Sequence, residues 1–469
     1  VAQDYDVVVI GSGPGGYVAA IRASQLGLKT AIVEKDKNLG GTCTLRGCIP
    51  TKALLESASV YESALGAKEF GIKTSGVELD FDAVQKNRDK IVKTNSGGVG
   101  FLMKKNKIDV LQGHGRITGK GAFSVTDAKG KAKDYTAKHI ILATGSVCKD
   151  LPFIEMDHKR TVNSDDILEI SKVPKRLIVM GAGAVGTEFA SVYRSFGSEV
   201  TLVEFQDRLL PIEDDDISKE LEKAFKRRKI DVKTSTAIKK VEFTKNGVRV
   251  HMEPADGGDA TELEADMLLV AVGRAPVTED VGLDKVGIKT DERGFVPVDE
   301  YCRTNVENIY AIGDIIATPQ LAHTGSHEGV MVAELIAGKN PRPINYEHNP
   351  NCTYCGPEVA SVGLTEREAK KRGYDVKIGT FSLSANGKAR IMGQANGLIK
   401  IVADKKYDQL LGAHIIGPKA TELISEIAAA LTLESTTEEL VRTIHPHPTL
   451  AEAIGEAAAA VFNGAPINS

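Results

Sequence analysis

No stretch of this 469-residue chain approaches the run of about 18 apolar residues that a membrane-spanning helix needs. No secretory apolar segment precedes the first expected strand, and whether a leader was removed ahead of Val1 stays open. No membrane partner is therefore expected. Cysteine is scarce: six residues in so long a chain do not make a secreted disulfide framework, which points to a reducing compartment. The cytoplasm is the expected location, with the mitochondrial matrix as the alternative. Charge of one sign is scarce too. A formal net charge of -4 gives no reason to expect nucleic acid or an acidic membrane as partner. No paired CxxC motifs or histidine pair with zinc spacing occur, so no metal is expected. What remains is an ordinary globular composition, 42% apolar and 26% charged, at a length suited to about three domains.

Residues 4–10 (DYDVVVI) read as a buried parallel strand. Gly11-Ser12-Gly13-Pro14-Gly15-Gly16 follows, then a helical pattern over 17–26 and a second strand over 30–33 that ends at Glu34. This is GxGxxG (Gly11, Gly13, Gly16) with an acid 23 residues after the first glycine. The glycines allow a tight turn, close approach to a pyrophosphate, and helix–strand packing. The helix N-terminus binds phosphate, and the acid accepts a ribose hydroxyl. The whole unit then recurs: a strand over 176–180, Gly181, Gly183 and Gly186, a helix to 196, a strand over 200–203, and Glu204. Glu204 again lies 23 residues past the first glycine, and Gly27 and Gly197 each lie 16 past theirs. Two dinucleotide sites are expected. An acid at Glu204 repels a 2′-phosphate, so NAD is favoured over NADP at the second. Arg208 is expected to be a solvated surface residue.

Nine residues after Glu34 comes Cys43, and Cys48 follows it within GGTCTLRGCIPTK, residues 40–52. Helical register over this spacing holds the α-carbons beyond the roughly 7 Å span of an unstrained disulfide. A bridge needs an irregular turn, for which Gly47 and Pro50 are suited. A helix expected over 51–65 places its positive end near Cys48, where it stabilises a thiolate. A C-x4-C spacing by itself suits a pair of buried or metal-binding thiols equally well. Cys148 and Cys302 read as small buried hydrophobes. Two nucleotide sites beside a cysteine pair suggest a relay between a flavin, at the first site, and a nicotinamide, at the second.

GGTC-x3-GCIP-x-K resembles the redox-disulfide signature of the two-dinucleotide flavoprotein disulfide reductases, and TLRGCIPTK, Glu204 and HPHPTLAEA (residues 445–453) resemble their lipoamide branch. The likeness covers essentially the whole chain. It implies an α/β protein with two Rossmann-like dinucleotide-binding domains and a C-terminal α+β dimerisation domain. The expected boundaries are 1–147 and 273–345 for a discontinuous FAD domain, 148–272 for the NAD domain, and 346–469 for the dimer interface. The resemblance implies that Gly11, Gly13, Gly16, Glu34, Lys35, Gly41, Thr42, Lys52 and Gly115 contact FAD. Thr144, Gly145 and Ser146 join them at the end of a strand (IILATG), as do Asp314 (IYAIGD) and Gln320, Leu321, Ala322 and His323 (PQLAH). For NAD it implies Gly181, Gly183, Val185, Gly186, Glu188, Glu204, Ile238 and Gly273, with Arg274 a cofactor-binding residue at the return crossing. Lys52 reaches the flavin ring with Glu188 as ion partner on this reading; alone it reads as an exposed helix lysine.

The same resemblance assigns Cys43 as the interchange thiol and Cys48 as the flavin-facing one. It makes His447 the base, delivered from the partner subunit of a homodimer, and Glu452 the carboxylate that orients it. Thr449 and Glu452 also read as a T-x-x-E capping box for a helix running to 462, and His445 as structural. The implied reaction oxidises dihydrolipoamide with NAD as acceptor. The implied partner is a lipoyl-bearing protein of a 2-oxoacid dehydrogenase or glycine-cleavage complex. One departure stands out: Cys352-Thr353-Tyr354-Cys355 places a CxxC at the first interface strand. A redox pair, an intersubunit bridge and half a metal site are open there, and two packed unreactive thiols are the preferred reading. Residues 345–350 (NYEHNP) read as a polar linker.

Overall fold

A computed structural model describes residues 4–255 and 257–468; the question of a leader lies outside them. Among the described residues no helix is long and apolar enough to cross a membrane. The chain divides into two compact units. One holds the N-terminal stretch to Ala53 with Ala83–Lys149 and Gly273–Tyr346. The other holds Leu54–Asp82, Asp150–Val272 and the stretch from Glu347 onward.

The first unit is built on a parallel sheet. Strand β1 (Tyr5–Ile10) is flanked by β2 (Thr30–Glu34), with helix α1 (Pro14–Gln25) crossing between them. Its near-continuous burial explains why β1 reads as an apolar run rather than an alternating one. Sheet order continues outward to β3 (Asp109–Gln112) on one side. On the other, β1 pairs with the second half of β6 (Ala132–Leu142), which pairs in parallel with Ile309–Ala311. The first half of β6 leaves as an antiparallel sheet with β5 (Ala122–Thr126) and β4 (His114–Gly119). Parallel pairing puts the carboxyl ends of β1, β6 and Ile309–Ala311 on one edge, where ligands of open α/β sheets bind. Helix α1 starts at Pro14, earlier than the expected residue 17, because proline at a first helical position loses no hydrogen bond. The cysteine stretch is also more helical than expected. It forms α2 (Gly41–Arg46) and α3 (Cys48–Leu65), separated at Gly47.

The second unit repeats the parallel plan with β7 (Arg176–Met180), α4 (Ala184–Ser195) and β8 (Glu199–Val203). A three-stranded antiparallel sheet (Thr236–Phe243, Val248–Pro254, Thr261–Ala265) accompanies it, which the sequence reading does not contain. Its C-terminal part is a five-stranded antiparallel sheet of Asn351–Thr353, Glu358–Gly363, Leu410–Gly417, Leu398–Asp404 and Val376–Ser382 in spatial order. Helices Ala420–Thr432 and Glu452–Phe462 share its core. The architecture is thus the mixed α/β class expected.

Inside this unit a buried ammonium, Lys400 Nζ, is surrounded by Asp214 at 2.8 Å, Asp216 at 2.6 Å and Glu366 at 2.7 Å. Neighbouring Glu213 is also buried, and its Oε2 has no hydrogen-bond partner among the described residues. Burial pushes its carboxyl up to about 7, against a hydrogen bond from Ser361 that favours ionisation. The folded state therefore holds this proton more tightly than the unfolded chain does. The resulting stability is complete below the ordinary glutamate range, near about 4.3, and is lost as pH rises through about 7. Glu213→Gln stays neutral throughout. In thermal melts across a pH series, its melting temperature is expected to track wild type in acid, to rise above it progressively between about 4.3 and about 7, and to keep a constant lead beyond that.

Candidate functional site

The first glycine turn is shaped for a pyrophosphate. At Gly11, with φ +108°, a Cβ would lie 2.1 Å from the Ala143 carbonyl oxygen, and one at Gly16 would lie 1.9 Å from that of Gly11. Both positions require glycine. Gly13 differs, since a Cβ there would meet nothing within 4 Å, so the turn is open on the side a ligand would take. Below it the buried Glu34 carboxylate is fixed by three donors. Ser12 contributes its N–H at 3.0 Å and its hydroxyl at 2.5 Å to Oε2, and Asp36 N–H donates to Oε1 at 2.8 Å. Of about four acceptor positions on a carboxylate, one on Oε1 remains for a ribose hydroxyl. Ser12 is a site residue the sequence reading does not name; its only signal is its place between Gly11 and Gly13. Gly115 packs against the end of the sheet, where a Cβ would lie 2.9 Å from both Ile10 and Val33 side-chain carbons. Lys35 is exposed just past Glu34.

The same sheet edge gathers the distant segments. Arg274 donates to the Ser146 hydroxyl at 2.6 Å and to its carbonyl at 2.7 Å, and the Ser146 hydroxyl donates to Asp314 Oδ2. Thr144 Oγ1 donates to the Val277 carbonyl at 2.6 Å, and Gly145 and Gly313 turn the chain at φ +75° and +70°. Leu321, Ala322 and His323 open the Ala322–Ile336 helix, and Gln320 Nε2 lies 3.4 Å from the Asp314 carbonyl. Arg274 thus works here in the first unit, bound to Ser146 beside Asp314. Cys148 is half-buried rather than a buried hydrophobe, because Arg274 approaches its sulfur at 3.8 Å; Cys302 is buried as expected.

The cysteine pair lies against the glycine turn. Gly41, at φ +58°, approaches so closely that a Cβ would lie 2.6 Å from Gly13 Cα, and Gly40 N–H donates to Ser12 Oγ at 3.1 Å. Cys43 and Thr42 occupy α2, and Cys48 is the first residue of α3. The helical break at Gly47 (φ -139°, ψ -109°) brings the two sulfurs into hydrogen-bonding contact. A Cβ on Gly47 would lie 3.0 Å from the Thr42 carbonyl oxygen, so the break tolerates little bulk. Pro50 does not make the break. It sits in the first turn of α3, where a missing N–H costs nothing. Hydrogen bonding to Cys48, and then burial, push the Cys43 thiol far above its ordinary range, and the Lys52 ammonium opposes this. In the dithiol, Cys43 therefore holds its proton, while exposed Cys48 lies at a helix N-terminus, the position that favours a thiolate.

The second glycine turn repeats the geometry. A Cβ at Gly181 (φ +98°) would lie 2.4 Å from the Ala271 carbonyl oxygen, one at Gly186 would lie 1.9 Å from that of Gly181, and Gly183 is open. Glu204 accepts Ala182 N–H at 2.6 Å and Gln206 N–H at 2.8 Å, one on each oxygen. With alanine where the first turn has Ser12, each oxygen keeps an acceptor position, enough for both hydroxyls of an adenosine ribose. Arg208 is not a solvated residue: it is partly buried and ion-paired to Asp207 at 2.8 Å and to Asp215. It is thereby engaged away from a 2′-phosphate. Val185 is exposed in the first turn of α4, and buried Glu188 accepts Tyr354 N–H at 2.9 Å. Ile238 is buried in an apolar cluster with Ile178 and Val203, so it backs the nucleotide strands. Gly273, at φ +111°, accepts Lys149 N–H at 3.1 Å and belongs to the first unit.

His447 and Glu452 form a dyad. His447 Nδ1 lies 2.8 Å from Glu452 Oε1, while Oε2 accepts Thr449 N–H at 2.8 Å. That N–H, and then His447, hold the Glu452 carboxyl below its ordinary range. Only half the expected capping box forms. Thr449 Oγ1 donates to the Pro446 carbonyl instead, and the helix begins at Glu452 itself. The imidazole side chain is 80% exposed, with Nε2 directed away from the dyad bond. His445 is mostly buried and bound to Glu426 at 2.8 Å. The CxxC is split: Cys352 packs against the C-terminal core, and buried Cys355 donates to the Pro357 carbonyl at 3.0 Å. Among the described residues no cluster of histidine, cysteine and carboxylates could hold a metal.

The profile of the pyridine nucleotide-disulphide oxidoreductases matches residues 5–329, and that of their dimerisation domain matches residues 349–458. Relatives include a dihydrolipoyl dehydrogenase of Bacillus subtilis, 47% identical over 98% of each chain. The mitochondrial dihydrolipoyl dehydrogenase of Pisum sativum is 43% identical over 98% of this chain and 92% of its own. Among solved structures, LpdA from Mycobacterium tuberculosis has a TM-score of 0.89 at 27% identity, covering 96% of this chain and 98% of that one.

Proposed function

This chain belongs to the pyridine nucleotide-disulphide oxidoreductase family, and from that premise we propose that it oxidises protein-bound dihydrolipoamide to lipoamide with NAD as acceptor. The observation that carries the reading is the Cys43–Cys48 pair seated on the first dinucleotide turn through Gly41 and Gly13. Full-length similarity to dihydrolipoyl dehydrogenases supports the substrate. FAD would be held by the Gly11–Gly16 turn, Glu34, Thr42 and Asp314, and supplies the two-electron link between dithiol and nicotinamide. NAD would be held by the Gly181–Gly186 turn and Glu204.

The protein's own part begins with His447, which takes a proton from a substrate thiol while Glu452 holds the ring. The thiolate attacks Cys43 of the oxidised pair, and Cys48 leaves as thiolate. The second substrate sulfur then displaces Cys43, releasing the substrate disulfide and leaving the enzyme dithiol. Lys52 and the start of α3 offset the negative charge this places on Cys48. In the homodimer that the matched dimerisation domain supports, His447 of one chain serves the cysteine pair of the other. The lipoyl group would be carried by a protein of a 2-oxoacid dehydrogenase or glycine-cleavage complex. Its likeness to the Bacillus subtilis enzyme supports a place in the bacterial cytoplasm, and the pea relative marks the mitochondrial matrix as the alternative.

Purified holoprotein given dihydrolipoamide and NAD is expected to form NADH rapidly, and to form NADPH far more slowly with NADP. No NADH, with glutathione disulfide or a quinone turned over instead, would remove the lipoamide assignment and leave the family.

A further inference from the structure

Helix Ala322–Ile336 carries a carboxylate in its interior face that the proposed chemistry does not use. Glu328 is 0% exposed. Its Oε2 accepts the Gly313 N–H at 2.6 Å, and its Oε1 accepts the Thr318 hydroxyl at 2.8 Å and the Tyr346 hydroxyl at 3.0 Å. Burial pushes this carboxyl up, and the three donors oppose that shift. Burying a charge is expensive, and an apolar side chain of similar volume commonly serves a fold as well. Three donors from two segments, the 313–318 stretch and Tyr346, converging on one buried carboxylate indicate a task in positioning.

The group so positioned is the turn Ile312-Gly313-Asp314. Gly313 sits at φ +70° and lacks the Cβ that would restrict its peptide, so the turn is soft unless something outside holds it. Glu328 supplies that hold through the Gly313 N–H. The helix is itself pinned at short range: a Cβ on Gly325 would lie 3.3 Å from Gly313 Cα, and one on Gly329 would lie 2.6 Å from the Gly15 carbonyl oxygen. The next residue along the turn is Asp314, already fixed at its far end by the Ser146 hydroxyl. Tyr346 belongs to the stretch that reads as a linker, yet its hydroxyl is anchored on this carboxylate.

We propose that Glu328, with Tyr346 and Thr318, is a positioning residue that holds Asp314 in place for the ribityl chain of the flavin. The proposal rests on the FAD reading given above. It predicts that Glu328 acts on flavin binding through Asp314 alone.

The test is a double-mutant cycle on the holoenzyme. FAD dissociation constants are measured from flavin fluorescence on release, for wild type, Glu328→Gln, Asp314→Asn and the double variant. Glu328→Gln is expected to weaken FAD binding roughly tenfold, the loss of one buried charge-assisted hydrogen bond. In the Asp314→Asn background the same change is expected to add almost nothing. Unchanged FAD affinity in Glu328→Gln, or a full tenfold loss added on top of Asp314→Asn, would overturn the proposal. Tyr346→Phe removes a single donor and is milder, so if Glu328→Gln does not fold it carries the cycle, with roughly a threefold effect that likewise vanishes beside Asp314→Asn. Wild-type protein that binds no FAD would sink the flavin reading instead, which distinguishes the two failures.

Discussion

Cys48→Ser is expected to lower NADH formation from dihydrolipoamide by on the order of 10⁴-fold or more, as loss of an obligatory nucleophile does. Cys43→Ser should do the same, because the relay needs a sulfur–sulfur bond that neither single-cysteine protein can make. A serine hydroxyl cannot be displaced from sulfur as Cys48 is, and it does not ionise near neutral pH. The geometry makes the prediction specific to the dithiol reaction. Gly47 breaks the helix so that the two sulfurs meet, and a serine at residue 48 leaves the α2–α3 break and the Gly41–Gly13 contact in place. Flavin binding and oxidation of NADH by a quinone should therefore persist. Thiol titration gives the independent check. Wild-type protein treated with dihydrolipoamide should expose the thiols of Cys43 and Cys48, whereas Cys48→Ser should show no new thiol. Dithiol turnover retained in Cys48→Ser would remove the cysteine relay while leaving both nucleotide sites as they are.

Much of this was legible because it is local. Each glycine turn, its helix and its acid fall within a window of about thirty residues, and the constraint behind each glycine acts on its immediate neighbours. The carbonyl oxygens of Ala143 and Ala271 that exclude a Cβ at Gly11 and Gly181 come from elsewhere, yet the equal spacing of Glu34 and Glu204 reports the same geometry. Proline misled in one place. Pro50 read as part of the irregular turn, but a first-turn proline is compatible with a helix, and Gly47 alone separates α2 from α3. Long-range partners were not legible. Nothing near Glu328 signals that Tyr346 and Thr318 converge on it, whereas the ion partner of Arg208, Asp215, lies only seven residues on in an acidic run. The capping-box reading of Thr449 failed for a related reason. The pattern specifies which side chains could pair, and the Pro446 carbonyl took the hydroxyl instead. The three-stranded sheet of residues 236–265 went unread because its strands carry many charges on an exposed face, which leaves little apolar alternation.

His447→Gln is expected to slow dihydrolipoamide oxidation by about 10²- to 10⁴-fold, the usual worth of a positioned general base. Glutamine can keep a hydrogen bond to Glu452, so the loop from Pro446 to Thr449 should hold its shape while the proton acceptor is gone. The step that suffers is deprotonation of the substrate thiol, since the thiolate is the attacking species. Two consequences separate this from general damage. First, supplying a more acidic dithiol, already ionised at the assay pH, should recover much of the lost rate in His447→Gln and change wild type little. Second, the rise of rate with pH should shift upward, because the substrate must then ionise unaided. Glu452→Gln should fall between the two proteins. Its amide oxygen can still accept the Thr449 N–H, but it no longer places a full negative charge 2.8 Å from the imidazole. Quinone reduction by NADH, which involves no substrate thiol, should be the same in all three. If His447→Gln turned over dihydrolipoamide at the wild-type rate, the base would have to be another group. His445 is poorly suited to replace it, being mostly buried with Nε2 committed to Glu426. The substrate would then have to reach the Cys43–Cys48 disulfide already ionised by solvent, and the exposed imidazole at the start of the last helix would be left with no chemical role.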